Sequence, residues 1–309
     1  MSIGTAQTVI LMCAKNGATF LGEQSKSIAV QTHANLILFM SDDGSTDETR
    51  NILRRFADSH EQKKVVRNGP GKGVCSNFLS LATDPTINVD YFAFSAQDDL
   101  RYKDKLQRAR TSLATVPDDV PALYCGRTEL ISMDGRSYGF SPLFTRPITF
   151  RNALIQILGG GNTMVFNKAA KRLLEVVGRL DVVLHYWWMY QLVSAVGGAI
   201  QYDPQPALKY RQHLDNLIGS NLGWRARLVR VRMMLSGRFR DWNRMNVAAL
   251  QRVPAHLIKP QNSVVLQLFA KARTASLLKR LHYLKQSGVN RQTLLNVIGL
   301  FAATLLKWI

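Results

Sequence analysis

The sequence predicts an α/β protein: a mostly parallel sheet with helices on both faces, followed by a basic helical region. Three observations carry that expectation. Short, nearly all-apolar runs at 8–13, 36–40 and 91–95, and a shorter one at 64–66, alternate with helical patterns. Buried strands joined by crossover helices read this way. Two of those runs end in carboxylates, Asp42-Asp43 and Asp98-Asp99, and the C-terminal ends of such strands form the binding crevice of an open α/β sheet. Charge is also uneven. The 309 residues carry a net +19, yet from Trp224 to Ile309 there are 16 Lys or Arg against Asp241 alone. That tail holds +15 and leaves +4 for the first 223 residues.

The first strand, Thr8 to Cys13, is broken by Asn16-Gly17. A helical pattern with Phe20, Leu21, Ile28 and Ala29 on its apolar side follows. Leu36–Met40 is a second strand, then comes the turn from Ser41 to Asp47 and a helix through Phe56. A short strand at 64–66 leads into the glycine loop 68–73 and a helix from Val74 to about Thr83. The strand at 91–95 delivers Asp98 and Asp99 ahead of a helix over roughly 103–115. Strand Ala122–Cys125, the glycine loop Gly159-Gly160-Gly161 entering a strand, and a helix over 168–177 follow. The apolar helix 185–195 is closed by Gly197-Gly198, and two short strands near 200–202 and 207–210 end this part.

Beyond Gly223 the texture changes. Trp224, Leu228, Val231, Leu235, Phe239 and Trp242 step by three or four along one helical face, with arginines filling much of the rest. That predicts a basic amphipathic helix, with a second helical segment over 264–286. It reads either as a helical cap or as an element for an anionic membrane surface. Nucleic acid is the poorest match, because apolar stripes ending in Trp suit lipid better than a phosphate backbone. The expected division is 1–222 and 223–309. Cys13, Cys75 and Cys125 lie far apart, mostly in apolar runs, as small buried thiols of a reducing compartment do. The N-terminus lacks the basic start and long apolar core of a signal peptide, and the apolar stretch 292–306 is short for a membrane span. The protein is therefore expected in the cytoplasm.

Adjacent carboxylates at a strand end either cap the next helix or hold Mg2+ or Mn2+ against a phosphate. The turn from Ser41 to Asp47 places Gly44 where the chain reverses, with Asp42 or Asp43 free to accept from a base N–H or a ribose hydroxyl. The loop 69–73 lacks the spacing of a phosphate-binding P-loop.

In combination, Asn16-Gly17, Gln31-Thr32, Asp42 to Asp47 and Phe94 to Asp99 resemble the family 2 glycosyltransferases. Gly160 to Phe166, His185 to Trp188, Tyr202 to Pro204 and Tyr210 to His213 are similar to its rhamnosyltransferase branch. The resemblance covers about residues 8–220. It implies a GT-A fold and transfer of a sugar, rhamnose or a related deoxysugar, from a nucleotide-sugar donor. Inversion at the anomeric carbon, a divalent metal and a glycan or polyprenyl-linked acceptor go with it. The setting would be bacterial cell-surface polysaccharide synthesis at the inner face of the cytoplasmic membrane. Carried over by residue, Asn16, Asp42 and Asp43 serve the nucleoside end. Asp98, Asp99 and His213 serve the metal, and Arg211 the diphosphate. Asn162, Thr163 and Trp187 face the acceptor. Two positions depart from the pattern. Ala96 stands where an acid is common, and Tyr186 where the base is usually an Asp. A tyrosine with a pKa of about 10 is a poor base at neutral pH, so Asp181 or His185 is the expected base. The alternative is a protein that binds a nucleotide sugar without transferring it.

Overall fold

The computed structural model describes residues 6–33, 35–58, 64–212, 237–293, 299–300 and 303–306. The chain divides into two compact units. One comprises Met1–Pro142, Gly159–Arg179 and Gln201–Ser220; the other comprises Leu143–Leu158, Leu180–Ile200 and Asn221–Ile309.

The first unit holds a mixed sheet. Its parallel half is the strand order β3 (Lys64–Asn68), β2 (Leu36–Asp42), β1 (Thr8–Ala14), β4 (Tyr91–Ser95). All seven residues of β1 are buried, which explains its unbroken apolar run. The crossovers are α1 (Ala18–Ala29), α2 (Thr49–Asp58) and α3 (Val74–Ala82). Past β4 the pairing becomes antiparallel. β8 (Val165–Asn167) runs against β4 and against β6 (Ala122–Ile131). β9 (Ala199–Arg211) and the two-residue β5 (Leu100–Arg101) complete the order, and β7 (Ser137–Phe140) forms a hairpin on β6. Phe92, Phe94 and Phe166 knit β4 to β8, with ring centroids 5.3 and 5.1 Å apart. Asn167 then caps α6 (Lys168–Val177) by accepting from Ala170 at 3.0 Å, and the same oxygen accepts from Ala122 at 3.0 Å. Between β5 and β6 runs α4 (Lys105–Leu113).

One strand replaces the two short ones expected between 200 and 210. Pro204 and Pro206 suggest a break, but β5 pairs only with Leu208 and Lys209, so neither proline owes it an N–H. Asp203 also accepts from the Gln205 N–H at 2.9 Å.

The second unit is helical in its described part. It contains α5 (Phe150–Ala153), α7 (His185–Ala195), α8 (Arg238–Gln251), α9 (Pro260–Thr274) and α10 (Leu277–Ser287). The single helical segment expected over 264–286 is two helices, because Ala275 and Ser276 are extended between them. Trp187, Trp188 and Tyr190 are buried in this unit. Asn262 closes the α7 end by donating to Ser194 O and Ala195 O, both at 3.0 Å. The basic stripe beginning at Trp224 lies outside the described residues up to 236. No helix of the described residues is long and apolar enough to cross a membrane.

Candidate active site

Parallel register brings three loops to one edge of the sheet, since Ala14 is opposite Asp42 and Met12 is opposite Ser95. These loops are laced together. Gln97 brackets Lys15, its Oε1 accepting the Lys15 N–H at 2.7 Å and its Nε2 donating to the Lys15 carbonyl at 3.1 Å. Asn16 adopts φ +49°, a left-handed conformation that asparagine tolerates better than most residues. From there its Oδ1 accepts the Thr46 N–H at 2.8 Å, while its own N–H donates to Ser45 Oγ at 2.9 Å. Asp47 accepts from Ala18 and Thr49 at 3.2 and 3.0 Å, joining the starts of α1 and α2.

Asp42 and Asp43 are both buried. Asp42 turns inward to Ser45, accepting from its hydroxyl and, at 3.3 Å, from its N–H, and so closes the turn at Gly44. Asp43 gathers the glycine loop: Oδ1 accepts the Gly71 N–H at 2.7 Å and Oδ2 the Gly73 N–H at 2.8 Å. Gly71 and Gly73 have φ of +67° and +87°, where a Cβ is strained. A Cβ on Gly69 would lie 2.7 Å from Asp43 Oδ1 and 2.9 Å from Asn77 Oδ1. The nucleoside role expected of Asp43 is thus preceded by a structural one. Each of its oxygens keeps a further lone pair for a ligand.

Asp98 is half-buried and Asp99 wholly buried. Burial first, and the neighbouring Asp98 charge second, push the Asp99 carboxyl up to about 8. Asn162 Nδ2 donates to its Oδ2, and the Arg211 N–H approaches Oδ1 at 3.4 Å. Behind it lie two buried cations. Arg101 donates to the Phe94 carbonyl at 2.8 Å, and burial lowers its pKa to about 10. Lys105 donates to the Asn162 carbonyl; burial, then the Arg101 charge, hold its pKa well below the ordinary range. Two hard carboxylates crowded together, one without solvent to disperse its charge, suit a hard divalent cation that completes its shell with water and phosphate oxygens. Among the described residues no three His, Cys, Asp or Glu side chains converge, so this pair supplies only part of a shell. His213 lies outside the described residues.

Arg211 is buried and its guanidinium is occupied by protein. It donates to Glu23 Oε2 at 2.5 Å, to the Met133 carbonyl at 2.6 Å and to the Asp98 carbonyl at 3.3 Å. Phe20 lies 4.6 Å from its centre. Expected at the diphosphate, Arg211 instead clamps the backbone that carries the acids. Asn162 and Thr163, expected to face an acceptor, are buried as well. Asn162 holds Asp99, and Thr163 Oγ1 closes its own turn by donating to the Gly160 carbonyl at 2.8 Å.

Asp181, His185 and Trp187 belong to the second unit. Asp181 is exposed. His185 is buried, and burial pushes its imidazole down to about 3, so the ring is neutral at physiological pH. Trp187 is a correction to the expected acceptor contact. It is fully buried, donates Nε1 to the Ala153 carbonyl at 2.8 Å and stacks on Phe239 at 6.2 Å. Ten of the eleven residues of α7 are buried, so it is a core helix. Sequence reasoning passed over Gln97, Arg101, Lys105 and Glu23. For Gln97, adjacency to Asp98 was the available signal; for Glu23, 188 positions from Arg211, there was none.

The model of the family described as glycosyl transferase family 2 matches residues 9–174. The dTDP-rhamnosyl transferase RfbG of Shigella flexneri is 29% identical over 256 residues, which is 77% of this chain and 83% of that protein. Among solved structures, S. aureus TarS 1–349 in complex with UDP-GlcNAc superposes with a TM-score of 0.55 at 12% identity, covering 91% of this chain and 90% of that one. The mannosyltransferase PcManGT from Pyrobaculum calidifontis, in complex with GDP-Man and Mn2+, gives 0.54 at 16% identity, covering 98% and 86%. These two likenesses concern the fold.

Proposed function

The chain belongs to glycosyl transferase family 2 and has the GT-A fold; from that premise we propose that it moves rhamnose or a related deoxysugar from a nucleotide-sugar donor to a hydroxyl of a glycan or polyprenyl-linked acceptor in surface-polysaccharide synthesis. One observation carries the reading. The same sheet edge holds Asp43 with its glycine loop, whose carboxylate keeps lone pairs for a nucleoside, and the pair Asp98-Asp99, of which Asp98 is partly exposed.

In this scheme the acceptor hydroxyl gives its proton to a base and attacks the anomeric carbon opposite the diphosphate. The bond to the diphosphate breaks and the configuration inverts. Of the two candidate bases, exposure favours Asp181, since a base must touch the hydroxyl and His185 is buried. Asp98, backed by Asp99, is the site for Mg2+ or Mn2+ in this reading; His213, the further ligand expected from the sequence, lies outside the described residues. When bound, that ion neutralises charge on the departing diphosphate. Arg211, Asn162 and Lys105 keep the two carboxylates in place.

A membrane-facing role at the cytoplasmic surface finds support in exposed Val264, Leu277 and Leu278 among Lys271, Lys279 and Lys285. Co-sedimentation with anionic liposomes tests it; a Leu277→Ser/Leu278→Ser double variant that pellets like the parent removes this part.

The main test is a donor screen by thermal shift with Mn2+, followed by transfer assays. Stabilisation by dTDP-rhamnose with transfer to a rhamnan acceptor is the expected result. Tyr186, standing where an acid is expected, favours a second reading in which the donor binds and no transfer follows. Binding without turnover selects it.

A further inference from the structure

A surface cavity of about 380 Å3 lies outside the site just described, on the β5–β9 side of the sheet in the first unit. It is lined by Tyr102, Asp104, Arg108, Phe140, Gln205 and Pro206. Its walls are aromatic and its polar groups are rigidly held. Tyr102 is tied to β9 through its N–H and the Ala207 carbonyl at 3.3 Å, and its hydroxyl donates to Glu129. Glu129 is the cross-strand partner of Phe140. Phe140 is 45% exposed. Arg127 lies 5.1 Å from the Phe140 centroid.

The cavity has no positive charge to spare. Arg108 meets Asp104 at 3.2 Å, Asp203 at 2.8 Å, Gln205 Oε1 at 2.9 Å and the Pro206 carbonyl at 2.7 Å. Its guanidinium is neutralised by two carboxylates, which argues against a phosphate or another anion as ligand. Fixing Gln205 Oε1 in this way also orients its amide, and among the described residues no acceptor meets Gln205 Nε2. Asp104 likewise keeps Oδ1 unused while Oδ2 faces Arg108. Exposed aromatic faces beside one planar amide and one carboxylate, each with hydrogen-bonding capacity left over, suit a neutral polyhydroxylated molecule. Its C–H faces lie on the rings, and its vicinal hydroxyls bridge donor and acceptor.

Its place in the fold says which such molecule. Tyr102 follows Asp99 by three residues, and Gln205 precedes Arg211, whose N–H approaches Asp99, by six along β9. At about 3.3 Å per residue the Tyr102 wall lies up to roughly 10 Å and the Gln205 wall up to roughly 20 Å along the chain from the Asp99 end, a span covered by a short oligosaccharide and by no monosaccharide. We propose that this cavity is a subsite for neutral oligosaccharide, holding sugar residues of the acceptor remote from the reacting hydroxyl. The proposal rests on the glycosyltransferase reading and adds where a growing chain is gripped.

Saturation-transfer NMR with a rhamnose tetrasaccharide at millimolar concentration tests it, with a dTDP/Mn2+ thermal shift run in parallel on each protein. Transfer to the tetrasaccharide in the parent, weakened about tenfold in Phe140→Ala and in Gln205→Ala with the dTDP shift intact, is the expected result. Absence of binding in the parent, or unchanged affinity in both variants, overturns the subsite. Loss of the dTDP shift in the parent overturns the donor reading instead, so the two failures are distinguishable. Competition by inorganic phosphate would show an anion site and also overturn the proposal.

Discussion

Asn162 donates its side-chain amide to the fully buried carboxylate of Asp99. An acid with no access to water depends on such a donor, so the pair is a support for the metal end of the crevice. Asn162→Ala should lower stability by about 1–3 kcal/mol, the usual result of leaving a buried acceptor unmatched. Transfer should fall along with it. Chemical denaturation and a transfer assay check both; a fully active, equally stable variant would contradict the supporting role.

Removing Asp98 separates chemistry from folding. Asp98→Ala should leave the melting temperature of the ligand-free protein unchanged or higher, because a like charge beside Asp99 is gone. The additional stabilisation that Mn2+ gives in the presence of dTDP should vanish. A thermal-shift titration reads both, and a retained Mn2+ effect would move the metal elsewhere.

Gly69 marks where the donor loop is tightest. In Gly69→Ala the new Cβ falls 2.7 Å from Asp43 Oδ1, so either the carboxylate or the loop must move. A loss of about 1–3 kcal/mol and weaker dTDP binding are expected. Gly22, whose Cβ would meet nothing, is the control, since Gly22→Ala should match or exceed parental stability. Calorimetry with dTDP distinguishes the two.

Acid should destabilise the first unit through His33. Burial, then the Arg110 charge, hold its imidazole down at about 4, and Arg110 donates to its Nδ1 at 2.5 Å. Between pH 6.5 and about 4 the unfolded chain takes up a proton that the folded chain refuses. The contribution is therefore whole above pH 6.5 and is lost as pH falls through that window. Over those roughly 2.5 pH units, at 1.36 kcal/mol each, the loss is at most about 3 kcal/mol. His33→Gln should flatten that part of the stability–pH curve, and an unchanged slope would assign the acid sensitivity to other groups.

Much of the parallel half of the sheet was legible because doubly buried strands leave unbroken apolar runs. Asp42-Asp43 and Asp98-Asp99 were legible because they end two of those runs. The antiparallel half was not. β5 has two residues and no pattern of its own, and β9 contains two prolines that in the sequence suggest a break. Side-chain duties were hidden for a related reason. That Arg211 spends its donors on Glu23 and on two carbonyls is a property of residues 188, 78 and 113 positions away. Trp187 misled because its acceptor role was carried over from the family pattern. Yet its helix is buried on nearly every side.

Gln97 and Lys15 exchange two hydrogen bonds as paired strands do, and Asn16 and Asp47 carry the same stitching on to the next loop. The three loops are therefore one hydrogen-bonded unit. Grafting a single loop from a relative to change the donor should fail even with every ligand contact copied, because the graft arrives without its seams. Exchanging residues 14–17, 43–49 and 96–99 together keeps those seams and is the route by which specificity can be transplanted onto this sheet.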